Sequence, residues 1–332
     1  MRIKQGYFWV LAAIAGALCA FGYWTYAFAP LEQAQPELRV TIERGSSLRA
    51  IAAGFAAQGL TVNESLFWAA ARVRGDAGRL KAGTYQIRSP STLRELLDRM
   101  VRADVLLAQL RFIEGWTFAQ MRAAIDQQPD LRHDTAGITE TELLALIGAD
   151  EKRAEGLFLP DTYRFAAATS DLEIFRHAYR ELRQELDAAW GARAAGLPYT
   201  DAYQALILAS IVEKETGVDA ERPKVAAVFV NRLRRGMALQ SDPTTIYGLG
   251  PKFNGNLRKI DLLTDTPYNT YTRNGLTPTP IALPGRASIR AALNPAPISA
   301  LYFVSRGDGT SEFSDDLASH NRAVVRYQLK RR

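Results

Sequence analysis

The chain has 332 residues, 47% of them apolar, with a formal net charge of +6 and a pI near 9.4. That apolar content is enough for one or two domains with real cores and excludes a disordered chain. The positive balance suits an anionic partner such as a membrane surface or a cell-wall polymer, while no Lys/Arg block interleaved with aromatics points to nucleic acid. A single cysteine, Cys19, excludes an internal disulfide, and His133, His177 and His320 are too scattered for a metal site, so neither metal nor cofactor is expected.

Tyr7 to Ala29 is a run of 23 residues without a charge, long enough to cross a ~30 Å hydrocarbon layer with some tilt. Arg2 and Lys4 precede it, so the positive-inside rule leaves residues 1–6 in the cytoplasm and carries the chain after Pro30 across. Tyr7, Phe8 and Trp9 at one end, and Tyr23, Trp24 and Tyr26 at the other, are the aromatic belts of the two interfaces. Ala27-Phe28-Ala29 also fits a signal-peptide cleavage site, but the apolar run exceeds the ~7 to 15 residues of a signal core. Leu18 before Cys19 argues against a lipoprotein signal. The expectation is a retained single-pass anchor over residues 7–29 in an inner (plasma) membrane, with the remainder on the extracytoplasmic side.

Residues 30–37, "PLEQAQPE", read as a linker. Val40 to Ile42 is a short strand, followed by a helix in which Leu48, Ile51, Ala52 and Phe55 recur at helical spacing and Gly59 marks the end. Asn63 caps a second helix, and residues 82–87, "AGTYQI", return as a strand. Over residues 38–103 this strand, helix, helix, strand order resembles a LysM module, the small fold that holds N-acetylated sugars; order alone leaves glycan binding and a purely structural role both open. Thr92 to Glu95 is a capping box opening a further helix. "LRFIEGWTFAQMRAAI" then resembles a degenerate copy of "VTIERGSSLRAIAAGF". From about 135 to 200 the chain reads as helical and loop-rich, with "EGLFLPDTYRF" (155–165) a Pro-broken apolar segment expected to pack against the next domain.

"YTDAYQALILASIVEKETG" (199–217) reads as one helix, capped by Thr200 or Asp201, apolar over most of its circumference and stopped by Gly217. Its two glutamates are two positions apart, about 200° around a helix, so Glu213 and Glu215 cannot act together on one substrate. Glu215 follows Val212, Ile211 and Leu208 by three, four and seven positions, whereas Glu213 follows Leu206, Ala209 and Ser210 on a smaller, mixed face. A carboxylate against bulky apolar walls has its neutral form favoured, which a general acid at neutral pH requires. Glu215 is therefore the better acid. The competing reading places both glutamates in a solvated last turn, paired with Lys214 or Arg222.

"ERPKVAAVFVNRLRRGM" is a second amphipathic helix with Pro223 in its first turn and Val225, Val228, Phe229 and Leu233 on one stripe. Eight of the fifteen prolines then fall between Pro243 and Pro297, among Thr, Asn and Tyr. Irregular loops of this composition on a helical frame commonly hold sugars or peptides; an ordinary surface loop is the bland alternative. Near the end, His320 stands beside Asn321 without a nucleophile or carboxylate arranged around it, so a structural hydrogen-bonding role is expected, and the "KRR" tail reads as a solvated basic end.

The strings "LASIVEKET", "ERPKVAAVFVNRLRRGMALQSDPTTIYGLG", "TPYNTYTRNGLTPTPIALPGRASIRAALNPA" and "LYFVSRGDGTSEFSDDLASHN" resemble the YceG-like family, the membrane-anchored endolytic murein transglycosylases of bacteria. The resemblance runs from about Leu38 to the end. It implies an α+β fold with one N-terminal transmembrane helix, a LysM-like βααβ module and a mixed α+β catalytic domain over residues 104–332. It further implies cleavage of the β-1,4 bond between N-acetylmuramic acid and N-acetylglucosamine inside peptidoglycan strands, with a 1,6-anhydro product. Glu215-Thr216 is similar to the Glu-Ser pair of other lytic transglycosylases, so the family's catalytic glutamate carries over to Glu215, with Glu213 as the alternative. Tyr271 resembles a family active-site tyrosine, and Gln240, Ser241, Asp242, Thr244, Tyr247 and Asn269 are candidate sugar contacts. Wall synthases of the same membrane are the implied partners, with termination of growing glycan as the role. Two alternatives remain: a hydrolysing muramidase using Asp242 to activate water, and a non-catalytic wall-binding scaffold.

Overall fold

The structure is a computed structural model that describes residues 2–43 and 45–329, with side chains from Trp9 onward. The side chains of Arg2, Lys4, Tyr7 and Phe8, on which the orientation and part of one aromatic belt rest, and the tail Lys330-Arg331-Arg332, lie outside the described residues. The chain is a mixed α+β protein that divides into two compact units, Met1–Gln109 with Arg164–Thr169, and Leu110–Tyr163 with Ser170–Arg332. The division thus falls a few residues beyond the boundary at 103/104 expected from sequence, and the chain returns briefly to the first unit at 164–169.

In the first unit, helix α1 (Arg2–Ala27) contains the only stretch among the described residues, Trp9–Ala27, that is long and apolar enough to cross a membrane, which is compatible with an anchor or a signal. Val10, Leu11, Ile14, Leu18 and Phe21 are exposed on its surface. Its last turn is tied down, because Arg74 donates to the Tyr26 hydroxyl at 2.6 Å. The expected linker is not free chain. Glu32–Gln33 pairs as a strand with Leu60–Thr61, and Pro30 bridges to Thr92.

The strand first read as Val40–Ile42 spans Glu37–Ile42 and pairs antiparallel with Gly83–Arg88, Glu37 opposite Arg88 and Ile42 opposite Gly83. Helices α2 (Leu48–Ala57) and α3 (Glu64–Val73) lie between them in the chain, capped by the side chains of Ser47 and Asn63. Phe55 and Phe67 meet edge-on at 5.3 Å in a core completed by Val40, Tyr85 and Ile87 and by Leu96, Leu97 and Met100 of α4 (Leu93–Arg102). The Thr92–Glu95 capping box starts α4, satisfying two otherwise orphaned donors reciprocally.

The second unit opens with α5 (Phe118–Asp126) and α6 (Glu140–Ile147), each begun by a Thr capping box. Leu157, Phe158 and Leu159 are fully buried in this unit's own core, Phe158 against Phe118 and Phe175. Residues 155–163 of the Pro-broken segment are therefore part of this unit itself, and Arg164 and Phe165 belong to the first unit. Helix α7 (Asp171–Gly191) runs alongside, followed by α8 (Ala202–Glu215) and α9 (Arg222–Arg234). Short helices α10 (Asp242–Leu249), α11 (Lys259–Leu263) and α12 (Arg286–Leu293) sit within the proline-rich region; a hairpin of Tyr302–Ser305 with Ser311–Ser314 and α13 (Leu317–Val324) close the chain.

Helix α8 is the axis of this unit, packed against α7, α9, α10 and α12. Every residue from Ala205 to Val212 is buried, which is why its sequence is apolar all round rather than striped. Asp201 is the cap, accepting from the Gln204 amide at 2.9 Å. Thr216, not Gly217, ends the helix: it adopts an extended conformation (φ −146°, ψ 133°), and its hydroxyl accepts from the Val218 amide.

Candidate active site

Because α8 stops at Glu215, the last turn presents both glutamates at the end of a buried rod, on different sides. Glu213 points into protein. Its carboxylate accepts from the Gly285 amide at 2.9 Å and the Ser288 hydroxyl at 2.7 Å, and faces Arg222 at 3.4 Å. Glu213 and Arg222 side chains are both nearly inaccessible. The pairing with Arg222 is that of the competing sequence reading, but it is buried and serves to pin α8 to α9 and α12. Lys214 turns outward and donates to the Gly115 carbonyl at 3.1 Å.

Glu215 has a different environment. The residue keeps partial contact with solvent, yet burial pushes its carboxyl up to about 7 from an ordinary 4.5. The Ser241 hydroxyl, donating to Oε1 at 2.5 Å, and the field of Arg232 act against that rise, while nearby Asp242 adds to it. A carboxyl poised there is substantially protonated at neutral pH and can both give and take a proton. Arg232 is itself buried and held by the carbonyls of Leu301 and Leu239, each at 2.7 Å, so α9 fixes the start of the 239–242 segment beneath Glu215.

That segment turns sharply at Gln240, whose φ of 51° is left-handed and whose amide donates to the Thr270 carbonyl. Ser241 is 1% exposed, and Thr244 and Asn269 are 0% exposed. Thr244 hydrogen-bonds the Ser241 carbonyl at 2.7 Å and the Thr270 hydroxyl at 2.8 Å. Asn269 donates to the carbonyls of Leu262 and Thr264 and accepts from the Thr245 hydroxyl and the Tyr271 amide, which uses its full hydrogen-bonding capacity. Direct sugar contact, expected for these three, is therefore revised: they face protein and build the wall that carries Glu215's partner.

Gln240, Asp242 and Tyr271 do reach the surface. The Tyr271 hydroxyl donates to Asp242 Oδ1 at 2.6 Å, and burial followed by that carboxylate raises the tyrosine's pKa, keeping it a neutral donor. Tyr247 is placed elsewhere. Its hydroxyl donates to Glu155 Oε2 at 3.1 Å, and its ring meets Tyr268 edge-on at 4.8 Å.

Glu155 is the residue that sequence reasoning missed. It is buried, it accepts from the Phe118 amide at 2.9 Å, and burial pushes its carboxyl up to about 7. The available signal was a glutamate set directly against the apolar run "GLFLP". His320 stacks on Tyr302 at 5.2 Å, and its Nδ1 is buried without a hydrogen-bond partner. Among the described residues, no group of three or more His, Cys, Asp or Glu is placed to hold a metal ion.

Comparison with known proteins places the chain in a family. Residues 40–326 match the YceG-like family. The chain is 29% identical over 327 residues to the endolytic murein transglycosylase of Bacillus subtilis (strain 168), covering 93% of this chain and 90% of that protein. It is 26% identical over 351 residues to the protein of the same name from Streptococcus pneumoniae serotype 2 (strain D39), covering 93% of this chain and 63% of the relative. The crystal structure of a YceG-like protein from Listeria monocytogenes superposes with a TM-score of 0.52 at 28% identity, covering 87% of this chain and 99% of that one. With a match over most of its length, the chain belongs to the YceG-like family.

Proposed function

We propose that this protein is an endolytic murein transglycosylase that cleaves the β-1,4 bond between N-acetylmuramic acid and N-acetylglucosamine within nascent peptidoglycan strands. The observation that carries the reading is the Glu215 carboxyl, held near neutrality at the exposed end of a buried helix. The names of the relatives support the substrate class. Glu215 donates its proton to the glycosidic oxygen while the 2-acetamido carbonyl of the muramic acid supports the anomeric carbon, so no protein nucleophile is needed. The resulting carboxylate, stabilised by the Ser241 hydroxyl and Arg232, then takes the proton of the C6 hydroxyl, which attacks the anomeric carbon and closes a 1,6-anhydro ring. An intramolecular hydroxyl held close outcompetes water. Tyr271, Asp242 and Gln240 line the surface on which the sugar is oriented, and Ser241, Thr244 and Asn269 hold that surface in place.

The helix α1 acts as a single-pass anchor in the inner membrane, with the chain after Pro30 on the extracytoplasmic side where the substrate is, and the strand-helix-helix-strand portion of the first unit is a LysM-like module. Placement beside wall synthases would let cleavage terminate glycan elongation. The test is mass spectrometry of products from the full chain in detergent acting on uncrosslinked glycan. Anhydro ends that vanish in Glu215→Gln support the reading. Ordinary reducing ends would make the protein a muramidase with water as acceptor, and unchanged cleavage by Glu215→Gln would remove Glu215 from the chemistry.

A further inference from the structure

Beside the last turn of α8, the second unit contains a cavity of about 840 Å3, within the range of ~300 to 1,000 Å3 typical of ligand clefts. Phe118, Ile246 and Ile281 supply an apolar floor, and Glu155, Tyr247 and Lys214 supply polar groups. Two of the lining residues are chain neighbours of candidate-site residues. Lys214 adjoins Glu215, and Pro243, also on the wall, adjoins Asp242.

We propose that this cavity is a sugar subsite next to the scissile bond, taking an N-acetylhexosamine ring whose acetamido N–H is donated to Glu155 and whose methyl group lies against Phe118, Ile246 and Ile281. The proposal rests on the reading of Glu215 given above and adds a second recognition element to it. An acetamido group needs three things of a protein: an acceptor for its N–H, a donor for its carbonyl and an apolar patch for its methyl. The cavity has all three. A carboxylate offers about four acceptor positions; in Glu155 the Phe118 amide, the Tyr247 hydroxyl and the Gly156 amide take three. The fourth is left for a ligand, and the three partners lock the carboxyl in one orientation. Phe118 is fixed in turn by ring contacts with Phe158 at 5.6 Å and Phe175 at 6.3 Å, so little side-chain freedom is lost on binding. The ammonium of Lys214 is held at the rim by the Gly115 carbonyl and has donors to spare for the acetamido oxygen. Burial of Glu155 further favours a neutral donor over an anionic ligand.

The experiment uses the full chain in detergent with Glu215→Gln to stop turnover, and measures its affinity for peptide-free murein glycan strands and for the same strands chemically de-N-acetylated. Glu155→Gln alters the acceptor, and Ile246→Trp fills the cavity from its apolar floor. Each is expected to weaken binding of the acetylated strand about tenfold, the size of one hydrogen bond or one well-filled pocket, and to shrink the penalty for removing the acetyl groups. Thermal melts run in parallel, so that if one variant does not fold the other carries the comparison. Affinity unchanged in both, or weakened with the acetyl penalty intact, overturns the subsite. If instead the Glu215→Gln parent still cleaves murein, the reading of Glu215 fails while the binding comparison stands by itself.

Discussion

The Ser241 hydroxyl donates to Glu215 Oε1 at 2.5 Å, joining the end of α8 to the start of α10. This contact favours the charged form of a carboxyl that burial otherwise keeps neutral, so the two effects set the acid's strength between them. Ser241→Ala removes the favourable half. The carboxyl pKa should then rise further, moving the alkaline limb of the pH-rate profile upward, and turnover near neutrality should fall about tenfold because the carboxylate formed after proton donation loses its partner. A pH-rate profile of the variant beside the parent checks both.

Glu213 and Glu215 should separate cleanly by phenotype. Glu213→Ala leaves Arg222 buried without its inner partner and removes acceptors from Gly285 and Ser288, a loss of about 3 to 5 kcal/mol. Denaturant unfolding should show that loss. Glu215→Ala should lose activity without a comparable loss of stability.

Asn269→Ala should also act through stability. The substitution strands the carbonyls of Leu262 and Thr264 and the Thr245 hydroxyl, costing about 2 to 3 kcal/mol. Since the same turn carries Thr270 and Tyr271, activity should fall with it; a lower melting temperature together with weaker turnover is the expected pair of readouts.

Stability should depend on pH in a particular direction. Folding raises the Glu215 carboxyl from an ordinary 4.5 to about 7 and does the same to Glu155. Between those values the folded state holds protons that the unfolded chain releases, so stability is highest below the unfolded pKa and declines as pH rises through the folded one. Replacing either glutamate by Gln should therefore stabilise the fold at about pH 8, by on the order of 3 kcal/mol each, and change little at about pH 4. Melting curves at the two pH values test it.

What could be read from residues alone was whatever depended on local order. The apolar circumference of α8 announces a buried helix, and the angular offset of its two glutamates separates them before any coordinates are consulted. Caps at Asn63, Thr92 and Asp201 are equally local, each needing only an oxygen three residues ahead of the amide it accepts. What depended on distant segments was not legible. Ser241, Thr244 and Asn269 looked like sugar contacts because hydroxyls and amides in a proline-rich loop usually face solvent; here Ser241 donates to Glu215, 26 residues away in the chain, Thr244 to the Ser241 carbonyl, and Asn269 to the carbonyls of Leu262 and Thr264. Residues 30–37 looked like a linker because nothing local reveals that Glu32–Gln33 meets Leu60–Thr61. The partners that orient the Glu155 carboxyl, Phe118 and Tyr247, lie 37 and 92 residues away in the chain.

The most direct test of the central claim is to titrate the Glu215 carboxyl itself, by infrared difference spectra between the full chain and its Glu215→Gln variant across the pH range. The account expects a protonated-carboxyl band specific to Glu215 that disappears with a midpoint of about 7. A midpoint in the ordinary glutamate range, near 4.5, would mean a carboxylate already charged at neutral pH and would contradict its role as the acid.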